Sequence, residues 1–362
     1  MSTDSELMQK RQEVRDEILA LKGQIPSAWI FNTLGKAFKH NSLGYWLSNI
    51  ILLNLIVLSP WVVIGLALKE FGIPTTVMVE ALMAAVGVTF GVVIVHLTVQ
   101  AIMDDIAHRI VEKIKYADDL SKMFLWLERS WSRQNVSAVI MPVCLFWTLT
   151  GVKNLNFLSH RFVGIGLSVT SLLCGIIVGL VLYVYIWVCL LISNLKGYQY
   201  EMNSFSPADS EVISDISEIV MKGIYVLAGL GAVLILVFTS GLFDQLTRNA
   251  LVIPILVFGW TLIIVQFLLT RSTLAVIANR AKWKTLNRIR DKINTLEATG
   301  DLSDKDTAER LFRLADIHKQ IMASNTKTFD LKSVTTLFSQ LMLPLLGLLL
   351  GNIDKVLELL RK

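Results

Sequence analysis

Residues 162–192 read FVGIGLSVTSLLCGIIVGLVLYVYIWVCLLI and contain no Asp, Glu, Lys, Arg or His. A helix rises about 1.5 Å per residue, so this run reaches roughly 46 Å. The hydrocarbon core of a bilayer is roughly 30 Å thick. A helix of that length, apolar on every face, does not belong on a watery surface. The stretch is therefore read as a membrane-crossing helix, and the other apolar runs are expected to pack around it. Composition agrees. A chain of 362 residues that is 54% hydrophobic and 17% charged, with mean hydropathy +0.58, is too apolar for an ordinary soluble protein.

Outward from that run, five further segments have the length and polarity of spans: 43–68, 76–103, 136–152, 223–243 and 250–270. Tyr45, Trp46 and Trp61 in the first, and Tyr183, Tyr185 and Trp187 in 162–192, sit where interfacial aromatics are found. A seventh run, 333–353, is free of charge between Lys332 and Asp354 but carries Pro344 and several polar residues. It reads as a seventh span or a re-entrant helix. Most of the 34 Lys and Arg fall in 1–42, 103–135, 194–222 and 276–332, whereas loops 69–75, 153–161 and 243–249 hold one, two and one. The positive-inside rule then puts the N-terminus in the cytosol of a multi-pass protein, expected in the plasma (inner) membrane. The fold class expected is all-α, a polytopic bundle of six or seven transmembrane helices with a cytosolic helical domain.

That domain is expected to comprise the N-terminal segment 1–42, the loops 104–133 and 194–222, and the segment 276–332. In residues 5–22, Ser5 is placed as a cap, Leu7, Val14, Ile18 and Leu21 share a face, and Gly23 ends the helix. The second span is expected to continue inward along the stripe Ile106, Ile110, Ile114 and Ala117, with Asp118–Asp119 as the break and Ser121 capping the next helix. Trp126 and Trp131 are assigned to the headgroup layer. Ser206–Pro207 reads as an N-cap followed by proline at the first helical position. Beyond the sixth span, Leu286, Ile289, Ile293 and Leu296 make one stripe and Leu311, Leu314, Ile317 and Ile321 a second. Joined by a turn at Thr299–Gly300–Asp301, with Ser303 as cap, they predict a helical hairpin.

Candidate functional residues are few. His96 is the titratable group within a span, and intramembrane ionisable groups point to function by default. Thr335, Thr336, Ser339 and Gln340 are candidate pore-lining residues, since a pore can be lined by hydroxyls, amides and backbone without charge. Gly87/Gly91, Gly175/Gly179 and Gly347/Gly351 are GxxxG pairs that let helices approach closely. Asp104, Asp105, His108 and Glu112 lie near one another on one helix, as metal ligands would, but also as a solvated helix normally shows. Arg271 is assigned to snorkelling and Glu80 to the opposite edge. Cys144, Cys174 and Cys189 lie in apolar runs without CxxC spacing, which supports neither zinc nor a disulfide framework.

No phosphate loop, HExxH, GxSxG, calcium loop or histidine box occurs. The expectation is therefore a non-enzymatic protein with no catalytic residue, no metal and no cofactor. Two readings follow. The first is a channel-like assembly, a homo-oligomer lined by 333–353. The second is a membrane-embedded sensor, scaffold or effector whose cytosolic helices bind a protein partner. The basic segment 280–292 and the acidic segment 209–218 would supply opposite surfaces. The basic inner face is expected to meet the lipid bilayer through anionic headgroups, and nothing points to nucleic acid.

Overall fold

A computed structural model describes residues 4–23, 25, 91, 93–154, 161–203, 206–239, 245–299 and 305–323, with single positions at 335, 338, 339, 341, 342 and 345. Among these residues the chain is all-helical, with no strand beyond an isolated bridge between Ile114 and Tyr200. The expected span 43–68 and residues 76–90 of the expected span 76–103, with Glu80 and Gly87, lie outside the described residues. So do Thr336, Gln340, Gly347, Gly351 and the turn at 300–304.

The helices are α1 (Asp4–Lys22), α2 (93–113), α3 (Ala117–Ser130), α4 (Arg133–Asn154), α5 (Arg161–Leu195), α6 (Glu211–Thr239), α7 (Gln245–Thr299) and α8 (Lys305–Ala323). Among the described residues, two apolar windows are long enough to cross a membrane. One is Val178–Leu195 in α5 and the other lies within Leu256–Ala298 in α7. Their outer faces, with that of α4, are unusually apolar. Leu145, Phe146 and Leu149 of α4, Leu190 of α5 and Phe258 and Leu268 of α7 are all more than half exposed. Single exposed leucines are ordinary, but a belt of them over three helices is suited to oil rather than water.

The helices meet in two ways. α4 and α5 form the most extensive pairing among the described elements. Gly179 allows it, because a Cβ there would lie 3.0 Å from the Ile140 Cα and 3.2 Å from its carbonyl oxygen. At the polar end of the bundle, α1 packs on α3 and on a π-helical turn, Ile106–Ile110, inside α2. Val14, Ile18, Ile106, Ile110, Leu120, Met123 and Leu127 are fully buried there in one cluster. Each such side chain contributes about 1.5–3 kcal/mol relative to exposure.

Several local expectations need correction. α1 begins at Asp4, so Ser5 lies inside the helix, while Gly23 does end it, its N–H donating to Ala20 O at 3.1 Å. The break after α2 falls at 114–116, not at Asp118–Asp119. Ile114 turns extended, the Lys115 N–H donates to Gln199 O at 2.9 Å and the Glu201 N–H to Lys113 O at 2.8 Å. This long-range pairing ends the helix. Asp118 and Asp119 then occupy the first turn of α3, where the helix dipole favours acid. Ser206 is an N-cap with Pro207 at the first position, as expected, but of a 3-10 turn, Pro207–Asp209, and its side chain makes no cap bond to backbone. Ser210 stands before α6 instead, its carbonyl accepting from Ile213 N at 2.9 Å and its hydroxyl from Asn203 N at 2.9 Å.

Trp131 and Trp187 are 7% and 1% exposed, so they face protein rather than headgroups. Their rings lie 5.0 Å apart and Trp187 Nε1 donates to Ser130 Oγ at 3.0 Å. The expected sixth span and the first hairpin helix are one element: α7 runs unbroken through both. The hairpin stripes do meet, with Leu286, Ile289 and Ile321 buried together and Ile293, Leu314 and Ile317 packed on them.

Gly179→Leu should destabilise the α4–α5 pairing by about 1–3 kcal/mol, since the Ile140 backbone has no room to yield. Gly259→Ala, which meets nothing within 4 Å, should leave stability unchanged or slightly raised. Thermal unfolding of the two variants in detergent reads the difference.

Candidate functional site

The sequence of α2 past the apolar stripe alternates acid and base on two faces, and the fold assigns each face a neighbour. Toward α1, Asp104 receives Lys22 at 2.7 Å, and Glu112 receives Arg15. Arg11 continues the row, donating to Ile114 O at 2.8 Å and to Glu201 at 2.6 Å. Toward α6, Asp105 pairs with Lys222, Arg109 with Glu218 at 2.6 Å, and Lys113 with Asp215 at 2.8 Å and Glu211 at 2.7 Å. In both rows the numbers rise on one helix as they fall on the other. The partners therefore run antiparallel to α2, and the charges fix the register. In the α6 row, where the signs alternate, a one-turn slip would place Asp105 opposite Glu218.

These contacts decide the fate of the Asp104, Asp105, His108 and Glu112 set. Each carboxylate faces a cation, and His108 Nδ1 lies 3.0 Å from the Asp104 carbonyl. No group of three or more His, Cys, Asp or Glu able to hold a metal occurs among the described residues. In the acidic segment 209–218, Glu211, Asp215 and Glu218 likewise pair with α2.

Hydrogen bonding tunes the pairs. The bond from Lys113 holds the Glu211 carboxyl below its ordinary range, and the bond from Arg109 does the same for Glu218. For Lys113, burial opposes the charge, but the hydrogen bonds to Asp215 and Glu211 outweigh it and its pKa rises.

On the far side of the 198–203 strand-like loop lies a cleft of about 270 Å³. Its floor is Tyr198–Asn203, one wall is Lys115, and the other is α7 with Ile277, Arg280, Ala281, Lys284, Thr285 and Arg288. Arg280, Lys284 and Arg288 recur every four residues and so share a helix face. Arg280 donates to Lys196 O at 2.7 Å. The ammonium groups of Lys115 and Lys284 flank the Tyr116 ring at 6.0 and 5.8 Å from its centroid. The lining acid, Glu201, is occupied by Arg11. Burial pushes the Tyr198 phenol up to about 12 and the Tyr200 phenol well above its ordinary range, so neither adds negative charge near neutrality. The cleft is cationic.

The remaining candidates are spread through the bundle. His96 is buried in α2, 3% exposed, two residues from the buried Thr98. Gly91 and Gly175 are buried. Thr335 and Ser339 are exposed helical positions, and residue 341 of the same run is placed beside α7, where Leu341 O accepts from Trp260 Nε1 at 3.1 Å. Arg271 lies with its guanidinium 5.2 Å from the Phe267 ring centroid. Cys144 and Cys189 are free thiols.

Two features escaped the sequence reading. One is the cleft, whose visible signal was the four-residue spacing of Arg280, Lys284 and Arg288. The other is Gln266, 1% exposed, whose two amide atoms have no hydrogen-bond partner among the described residues. Comparison with protein-family models, with curated proteins and with solved structures finds no match.

Acid should loosen the α2–α6 register. Glu211 and Glu218 have folded pKa values below their unfolded ones, so the stability they contribute is fully present above about pH 4.3 and lost as pH falls through the folded values. Unfolding midpoints measured from pH 7 to 3 should fall less steeply in a Glu211→Gln, Glu218→Gln variant than in the parent.

Proposed function

We propose that the chain is a multi-pass integral membrane protein of six or seven spans, N-terminus in the cytosol, that works without catalysis as a sensor or effector. In this reading the bilayer segments hold and position a cytosolic helical platform, and the platform engages a protein partner. The observation that supports it is the continuity of α7. One helix contains an apolar window able to cross a bilayer and ends in the charged half that carries α8. A shift of its membrane half would be delivered to the hairpin without a hinge between them. The same helix contacts α5, α6 and α8, so it touches both the bundle and the hairpin. Phe312 on α8 is 77% exposed and offers an apolar anchor of the kind found at the centre of interfaces.

A second reading, conduction by an oligomer of this chain, is favoured by Gln266. A buried amide without a partner is costly in an apolar layer, and Thr270 and Thr273 are buried one and two turns further along α7. Gly223 lies against it, at 3.0 Å between a would-be Cβ and Gln266 Nε2. A pore wall needs such groups.

The readings part in one experiment on the full chain. A photoreactive residue at position 312, in native membranes, should give one discrete adduct with another protein, and the same residue at position 310, across α8, should give none. Planar bilayers containing the purified protein should stay silent at every voltage. Currents that disappear on Gln266→Leu, with no adduct at 312, would replace the effector reading with conduction.

A further inference from the structure

The basic cleft joins three segments distant in sequence, Lys115 after α2, the 198–203 loop, and Arg280, Lys284 and Arg288 of α7. Converging cations raise the local potential and repel one another. Elsewhere at this end of the molecule that cost is met by carboxylates, as Arg109 and Lys113 are met by α6. In the cleft it is not: Arg280 and Lys284 find a neutral carbonyl and the amide of Gln199. Arg288 makes no hydrogen bond or ion pair among the described residues.

The cleft also has a definite depth. Along α7 the exposed apolar residues continue through Leu268, Leu269 and Val276, and Trp283 is 56% exposed between Arg280 and Lys284. Exposed tryptophan beside arginine and lysine, just past an apolar belt, marks the headgroup level of a bilayer. Arg280 lies there, and Arg288 only about 12 Å further along the helix. The volume falls just under the range of small-molecule sites, about 300–1,000 Å³. That suits one headgroup rather than a large cofactor.

We propose that this cleft binds a phosphate monoester, a dianion whose oxygens are taken by Lys115, Arg280, Lys284 and Arg288. Guanidinium forks match phosphate oxygens in pairs, and the lysines add point charge. At this depth the phosphate is that of a lipid such as phosphatidic acid, and free phosphate is the other source of the same chemistry. The assignment deepens the sensor reading by giving it a ligand: occupancy would tie α7 to the 198–203 loop. The geometry of the cleft itself does not depend on whether α7 crosses a bilayer.

Calorimetric titration of the full-length protein in a neutral detergent tests it with dioctanoyl phosphatidic acid, inorganic phosphate and dioctanoyl phosphatidylglycerol. Saturable binding of phosphatidic acid is expected at one per chain. It should weaken roughly tenfold in each of Lys284→Gln and Arg288→Gln, as loss of a charge-assisted bond does, and stay unchanged in Arg310→Gln on α8. Unfolding midpoints without ligand confirm that the variants fold, and Arg288, which has no hydrogen-bond or ion-pair partner among the described residues to lose, provides the cleaner comparison. Tighter binding of the lipid assigns the lipid source, and tighter binding of inorganic phosphate assigns the soluble one. No saturable binding of either would overturn the proposal. So would equal binding of phosphatidylglycerol, whose diester carries one charge, or an equal loss in Arg310→Gln. Carbonate extraction of native membranes, run in parallel, reads the membrane assignment separately.

Discussion

Backbone amides in oil have no water to bond, so a segment that enters a bilayer stays helical until it leaves. α7 shows what that constraint does when nothing stops the helix afterwards. Between Arg271 and Thr299 there is no proline and no glycine, and the helix that the apolar layer would require simply continues. The exposed side chains change along it, from Phe258 and Leu268 to Trp283 among arginine and lysine, while the backbone does not. Continuity of this one element relates the apolar belt, the cleft and the hairpin to one another.

Charge handles the other end of the molecule. α2 is held between α1 and α6 by two rows of opposite charges, and each row is antiparallel. Individually, exposed pairs of this kind contribute little, with a median of about 0–1 kcal/mol. Their collective effect is selection of register where the signs alternate, since a slip of α6 by a turn would set Asp105 against Glu218. The cations of the cleft differ from those rows in forming no ion pair with a carboxylate among the described residues, the cleft's lining acid Glu201 being paired with Arg11. The contrast between satisfied and unsatisfied positive charge separates what stabilises the fold from what is open to a ligand.

Periodicity made much of the helical content legible. The stripes Val14–Ile18–Leu21 and Leu286–Ile289, with Ile317 and Ile321, are found packed as their spacing implies, because a helix face is a local property of the chain. What could not be read depended on partners far away in sequence. The extended turn at Ile114 is made by Gln199 and Tyr200, so nothing near Ile114 announces it. Trp131 has the composition of a headgroup anchor, but its ring is covered by Tyr183 and Trp187. The carboxylates of 104–112 resembled a ligand set until α1 and α6 brought cations to them. The cleft was half legible: one wall follows from the spacing on α7, and the other belongs to segments that only folding brings near.

α7 is one element from the apolar belt to the hairpin, and a distance measurement reaches that continuity directly. Spin labels at Val265 and Arg290, both exposed, in the full-length protein in lipid nanodiscs, should give a single narrow distribution by pulsed electron paramagnetic resonance. It should be centred near 37 Å, the span of an unbroken helix over that interval. A broad distribution, or a markedly shorter distance, would mean that α7 bends or breaks between the belt and the hairpin, and would contradict the account.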